Sequence, residues 1–165
     1  MDFASEIASG DDQPQRACRG LEALAKAAVG VRLFTLMTVD MNAGEGERIY
    51  SNMPRIYPLA GRKPLPEGNW TERVLERRRP FVANSIEAIA EVFPDHEVIR
   101  SIGCGSVLNL PIVVSGEVRG TINCLHRTGW YTKGRVRLAN DLRLPGMACF
   151  LLISQISTYG EIDHE

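Results

Sequence analysis

Between Ile102 and His126 the chain alternates apolar and polar positions in the manner of a β-hairpin. One arm is Val107-Leu108-Asn109-Leu110-Pro111-Ile112-Val113-Val114, the turn is Ser115-Gly116-Glu117, and the return arm runs from Val118 to His126. Strand side chains alternate between faces, so Asn109, Thr121 and Asn123 can share one face while Leu108, Leu110 and Ile122 fill the other. A buried amide without a hydrogen bond costs roughly 1–3 kcal/mol. Neighbouring backbone, water or a bound molecule is therefore expected to meet these amides.

The same reading extends along the chain. The first fifteen residues, which include Ser9-Gly10-Asp11-Asp12-Gln13-Pro14, read as a loose tail. Arg16 to Val29 carries Leu21, Leu24, Ala25 and Ala28 at helical spacing, and Gly30 closes that helix. Arg32 to Met41 is apolar and β-branched enough for a buried strand, Asn42 to Gly46 is a turn, and Glu47 to Ser51 returns as a second strand.

From Asn52 to Gly68 regular structure stops, because Pro54, Pro58, Pro64 and Pro66 forbid a long helix or a central strand. Met53, Tyr57, Leu59 and Leu65 give this stretch enough apolar surface to pack, and a lid over a pocket fits it best. Three short helices are expected: Trp70 to Arg78 with Asn69 as N-cap, one capped by Asn84 or Ser85 and running through Val92, and Asp95 to Ser101 closed by Gly103. Pro80 marks Phe81-Val82-Ala83 as an edge strand. Lys133 to Ile156 reads as a long C-terminal helix, kinked or broken at Pro145-Gly146.

Periodicity alone gives the α+β class. The Gly-Ser that opens the hairpin, the Pro within its first arm, the Gly-bearing turn and the Gly120-Thr121-Ile122-Asn123-Cys124-Leu125 run resemble the last hairpin of a GAF domain. Element order extends the resemblance from about Arg16 to Gln155. It implies a GAF/PAS-like central antiparallel sheet with terminal helices on one face and a lid of short helices and loops on the other. Domain limits follow as a single domain over 16–157, with flexible tails at 1–15 and 158–165. Members of the family bind cyclic nucleotides, tetrapyrroles, haem or amino-acid-like metabolites, and they often pair through their terminal helices.

Charge and cysteine spacing narrow the function. The net charge is −1 with acidic and basic residues interspersed, so there is no electrostatic footprint for nucleic acid. Arg77-Arg78-Arg79 reads as the solvated end of a helix, where cations are favoured. The chain shows no long apolar span and no basic-then-apolar leader, so no membrane association is expected and the expected location is cytoplasmic. Cys18, Cys104, Cys124 and Cys149 form no CxxC or Cys/His ligand spacing; no structural metal and no cofactor are expected. No HExxH, P-loop, GxSxG or dinucleotide fingerprint occurs.

The candidate ligand-binding set is Tyr50, Tyr57, Trp70, Asp95, Cys104, Ser106, Asn109, Thr121 and Asn123. The aromatics offer apolar walls with polar tips, and Asp95 at a helix start is either a cap or a site group. Cys104, between two glycines, is the one candidate nucleophile, and His96 is its only sequence-near base. Within the resemblance, Asn84-Ser85 departs from the Asn-Lys of cyclic-nucleotide members, the bilin-attachment loop is missing, and so is the Trp-Gly-Cys-Gly stretch of the free-methionine sulfoxide reductases. The expectation is a sensory domain that binds a small polar metabolite without chemistry, as a homodimer through its terminal helices. Two alternatives stand beside it: a redox enzyme acting through Cys104, and a dimerisation module with a vestigial pocket.

Overall fold

The computed structural model describes residues 2–162. In chain order these form α1 (Phe3–Ala8), α2 (Gln15–Ala28), β1 (Leu33–Asp40), β2 (Glu45–Ser51), β3 (Lys63–Pro64), α3 (Asn69–Thr71), β4 (Phe81–Ala83), α4 (Ile86–Ala90), α5 (His96–Ser101), β5 (Ser106–Val114), β6 (Glu117–His126), α6 (Lys133–Leu138) and α7 (Arg143–Ile162). A π-helical turn, Glu72–Glu76, continues α3, and a 3-10 turn, Ala139–Leu142, joins α6 to α7. All strands belong to one antiparallel sheet in the order β3-β2-β1-β6-β5-β4, with β4 at an edge as Pro80 requires.

The two faces of this sheet carry different chemistry. On one, Phe34, Leu36, Leu108, Leu110, Ile112, Ile122 and Cys124 pack against Ala17, Cys18, Leu21 and Ala25 of α2 and Cys149, Phe150 and Ile153 of α7. Close approach is set by glycine. A Cβ on Gly146 would meet Ile112 at 2.8 Å, and one on Gly120 would collide with the Phe150 ring and the Met37 carbonyl. The opposite face holds two smaller clusters under the lid. One gathers Leu33, Tyr57, Ile89, Ile99, Val107 and Leu125, and the other gathers Trp70, Val74, Leu75 and Val118.

Two β-bulges decide which residue reaches which face. Ile112 pairs with Gly120 but Val113 pairs with Val118, so Arg119 is an extra residue in β6. Beyond it the register is shifted by one, which sets Asn109 directly opposite Asn123. In β2, Leu36 pairs with Tyr50 and Met37 with Arg48, leaving Ile49 as the extra residue. Tyr50 and Arg48 would share a face in a regular strand; the bulge sends them to opposite faces.

Four expectations need correction. Residues 1–15 are not a loose tail: α1 is capped by Asp2, whose carboxylate accepts from the Ala4 amide, and its Phe3 and Ile7 pack against the helix-face core. The Arg16–Glu6 ion pair at 2.7 Å and two Gln13 side-chain bonds to the Glu6 and Ser9 carbonyls fasten α1 to α2. The chain break expected at Pro145 falls earlier, at the Ala139–Leu142 turn. Pro145 then stands in the first turn of α7, where its missing N–H would have had no intrahelical partner. At the other end α7 runs on to Ile162, past the expected limit at 157, and residues 163–165 lie outside the described residues. Finally, Gly68 rather than Asn69 occupies the N-cap of α3, while Ser85 caps α4 by accepting from the Ala88 amide at 3.2 Å.

Candidate functional site

Across the lid face a row of polar side chains crosses three adjacent strands. Thr35 on β1 lies opposite Asn123 on β6, which lies opposite Asn109 on β5. The Trp70 indole Nε1–H donates to Asn109 Oδ1 at 2.9 Å, Asn109 Nδ2 donates to Asn123 Oδ1 at 2.7 Å, and Asn123 Nδ2 donates to Thr35 Oγ1 at 3.2 Å. An indole can only donate, so it fixes the direction of every bond that follows. The amides thus meet each other and the lid.

A cavity of about 620 Å³ lies between this row and the lid. Thr35, Asn109 and Asn123 line it on the sheet side, and Tyr57, Trp70, Asp95 and Val98 on the lid side. Trp70 to Asn109 and Arg48 Nη1 to the Pro58 carbonyl at 2.9 Å fasten the lid to the sheet, as do the Leu65 N–H to the Gly44 carbonyl at 2.9 Å and the pairing of β3 with β2 at its far end. The Tyr57 hydroxyl, donating to Asp95 Oδ2 at 2.7 Å, joins the lid loop to α5. The Arg48 guanidinium also lies 5.0 Å from the centre of the Tyr57 ring. Burial, and then the bond to Asp95, push the Tyr57 hydroxyl far above the ordinary tyrosine range, so it remains a donor.

Of the nine sequence-selected residues, Tyr57, Trp70, Asp95, Asn109 and Asn123 line this one cavity. The other four do not. Tyr50 is turned to the helix face, where it meets Phe34 edge-on and donates to Glu22 at 2.9 Å. Ser106 donates to the carbonyls of His126 and Arg127 and closes the base of the hairpin. Thr121 lies on the lid face, opposite Pro111 and Met37, but is fully buried; among the described residues its Oγ1 finds no hydrogen-bond partner. Cys104 is buried with Leu33, Ile99 and Val107, and burial raises its thiol above the usual range, which keeps it protonated and poorly nucleophilic. Its supposed base, His96, is engaged with the Phe93 carbonyl at 3.1 Å. Asp95 stands at the N-cap of α5 without making a side-chain cap; its carboxylate serves Tyr57 instead.

Sequence reasoning missed Thr35, Met37, Arg48 and Lys63 in the lining. Thr35 and Met37 had a signal, since they alternate with the core residues Phe34 and Leu36. Arg48 shares that signal, since it lies opposite Met37 in the register that runs from Asp40–Glu45; the bulge at Ile49 turns Tyr50, not Arg48, to the other face.

The family model for the GAF domain matches residues 15–142. The chain belongs to the GAF domain family. Solved structures share its fold at low identity. The GAF domain/HD domain protein from Geobacter sulfurreducens aligns with a TM-score of 0.67 at 12% identity, over 96% of this chain and 99% of that one. A GAF domain from a phosphoenolpyruvate-protein phosphotransferase of Coxiella burnetii aligns with a TM-score of 0.67 at 16% identity, over 96% and 92%. Free methionine-R-sulfoxide reductase from Neisseria meningitidis, solved in complex with its substrate, aligns with a TM-score of 0.63 at 16% identity, over 93% and 87%. No curated protein matches the chain. Among the described residues no helix is long and apolar enough to cross a membrane, and no cluster of His, Cys, Asp or Glu could hold a metal ion.

Proposed function

We propose that this GAF domain is a sensory module that binds a small polar metabolite in the cavity under the lid and performs no chemistry on it. The observation that carries the reading is the cavity itself: about 620 Å³, within the usual range for small-molecule sites, apolar over most of its wall and crossed by one ordered polar row. Each asparagine of the row spends one N–H and one lone pair within the fold, which leaves hydrogen-bonding capacity for a guest. Ahead of β3, which pairs with β2, the lid loop is held to the sheet by few polar bonds, so its opening is a local event that binding can oppose. Cys104, buried and outside the cavity lining, gives no support to a redox reaction.

Signalling through a homodimer is part of the same proposal. Its surface is the outer side of α7, where Leu144 and Leu151 are 75% and 48% exposed, and sedimentation at micromolar concentration reads it directly.

The cavity is tested by screening a metabolite and fragment library by NMR on the labelled full chain. Ligands should shift the Trp70 indole N–H and amides of the lid. Val98→Trp, which fills the cavity from its lid wall, should leave the melting temperature near that of the parent and remove those shifts. A library that leaves the cavity resonances unmoved, or shifts that survive Val98→Trp, would refute the proposal.

A further inference from the structure

We infer that the metabolite bears a carboxylate, held by Arg48, at one end of an aliphatic body; this rests on the cavity being a binding site. Arg48, Lys63 and Asp95 are the charged residues of the lining, two cations against one carboxylate. Asp95 is already committed to the Tyr57 hydroxyl at 2.7 Å. The Tyr57 ring stands between the two charges, with Arg48 over its face and Asp95 on its hydroxyl. Among the described residues Arg48 makes no ion pair, and its one hydrogen bond, from Nη1 to the Pro58 carbonyl, leaves the rest of its donor fork free.

A guanidinium is a planar fork with five donors, shaped to hold a carboxylate through two parallel bonds. Stacking on Tyr57 and the bond to Pro58 fix the orientation of that fork before any guest arrives. The rest of the wall sets the body of the guest. Met37, Ile56, Leu65, Val98 and Val107 are aliphatic or thioether side chains. The Asn109–Asn123–Thr35 row offers neutral donors and acceptors on the sheet side, suited to a hydroxyl or carbonyl and not to a second charge. An aliphatic amine would bring a third cation into a lining that already carries two. A neutral amide would leave Arg48 unpaired as the guest displaces its water.

The test uses the full chain and three probes with one carbon skeleton: 4-methylpentanoate, its amide 4-methylpentanamide, and the amine 4-methylpentan-1-amine. Dissociation constants are read from NMR titration of the Trp70 indole N–H and lid amides. The carboxylate should bind at least tenfold more tightly than either counterpart. Arg48→Gln keeps a donor for the Pro58 carbonyl but loses the charge, and should abolish that preference. Arg48→Lys restores the charge and should recover part of it. Thermal melts of both variants, within a few degrees of the parent, establish that the lid is intact. Amide or amine binding as tight as carboxylate binding overturns the inference while the pocket reading stands, and so does a carboxylate preference that survives Arg48→Gln. If none of the three probes and no member of the wider library binds, the pocket reading falls and this inference with it.

Discussion

The two faces of the sheet solve the same packing problem with different materials. Against the terminal helices the sheet presents aliphatic side chains and glycine, and α7 sits so close that Gly120 and Gly146 have no room for a methyl group. Against the lid it presents an asparagine pair and a threonine joined in a directed row, with open space above. Dispersion contacts on the first face are numerous and individually weak, and they tolerate no added volume. Hydrogen bonds on the second are few and specific, so losing any one strands its neighbours. A rigid support and an adjustable reading surface thus lie back to back on one sheet.

The sharpest break in that comparison comes from overfilling the helix face. Gly120→Val would drive a branched side chain into the Phe150 ring and the Met37 carbonyl of the adjacent strand. The ring can rotate away, but the backbone of β1 cannot. A cost of about 3 kcal/mol is expected, at the top of the usual overpacking range. For a chain of this size that lowers the melting temperature by roughly 6–12 °C. A melt within two degrees of the parent would show that α7 floats on the sheet and that the two faces differ less than argued.

A smaller effect, of opposite chemistry, is expected on the lid face. Asn109→Leu leaves the buried Trp70 indole N–H without its partner, while Asn123 Oδ1, half-buried at the cavity, loses a donor that water can replace. One orphaned buried donor and one broken amide pair outweigh the gain from one added apolar side chain, for a net loss of about 2 kcal/mol. The melting temperature should fall by roughly 4–8 °C with no ligand present. An unchanged or raised melting temperature would mean that the amide is idle in the folded protein and kept for a guest alone.

How much of this contrast was legible in the sequence depends on what each part rests on. The helix face follows from period-two alternation in β1, β5 and β6 and from the apolar stripe of α2, all visible as patterns. The polar face was visible as residue types, but its register was not. In an unbulged hairpin that begins with Val114 opposite Glu117, Asn109 would face Ile122, and Asn123 would sit opposite Leu108 on the helix face. One extra residue at Arg119 creates the asparagine pair, and no local propensity marks it. The second bulge, at Ile49, turns Tyr50 to the helix face; without it Tyr50 would share the lid face with Arg48. Helix α1 is hard to read for another reason: it is only six residues long and precedes the turn-forming Ser9-Gly10-Asp11-Asp12, so its signal is no more than the Asp2 cap and the four-residue spacing of Phe3 and Ile7.

The finest test of the contrast is a single oxygen on the lid. Tyr57→Phe removes the hydroxyl that reaches Asp95 and leaves the ring under Arg48 and among its apolar neighbours. Asp95 is half-buried and rehydrates when the hydroxyl goes, so the loss falls below that of a fully buried charged bond, at about 1 kcal/mol. Global melting then drops by roughly 2–4 °C, which by itself would not separate this change from many others. Hydrogen exchange does separate it. If the lid opens as a unit over a fixed sheet, amides between residues 53 and 61, ahead of β3, should exchange severalfold faster in the variant. Amides of Phe34, Leu36 and Ile122, whose side chains face α2 and α7, should keep their parent rates. Asp95→Asn, which retains an acceptor for the hydroxyl, should accelerate the lid less than Tyr57→Phe does. Uniform acceleration on both faces would show that lid and support open together, and that the division between a rigid and an adjustable face is one of composition alone.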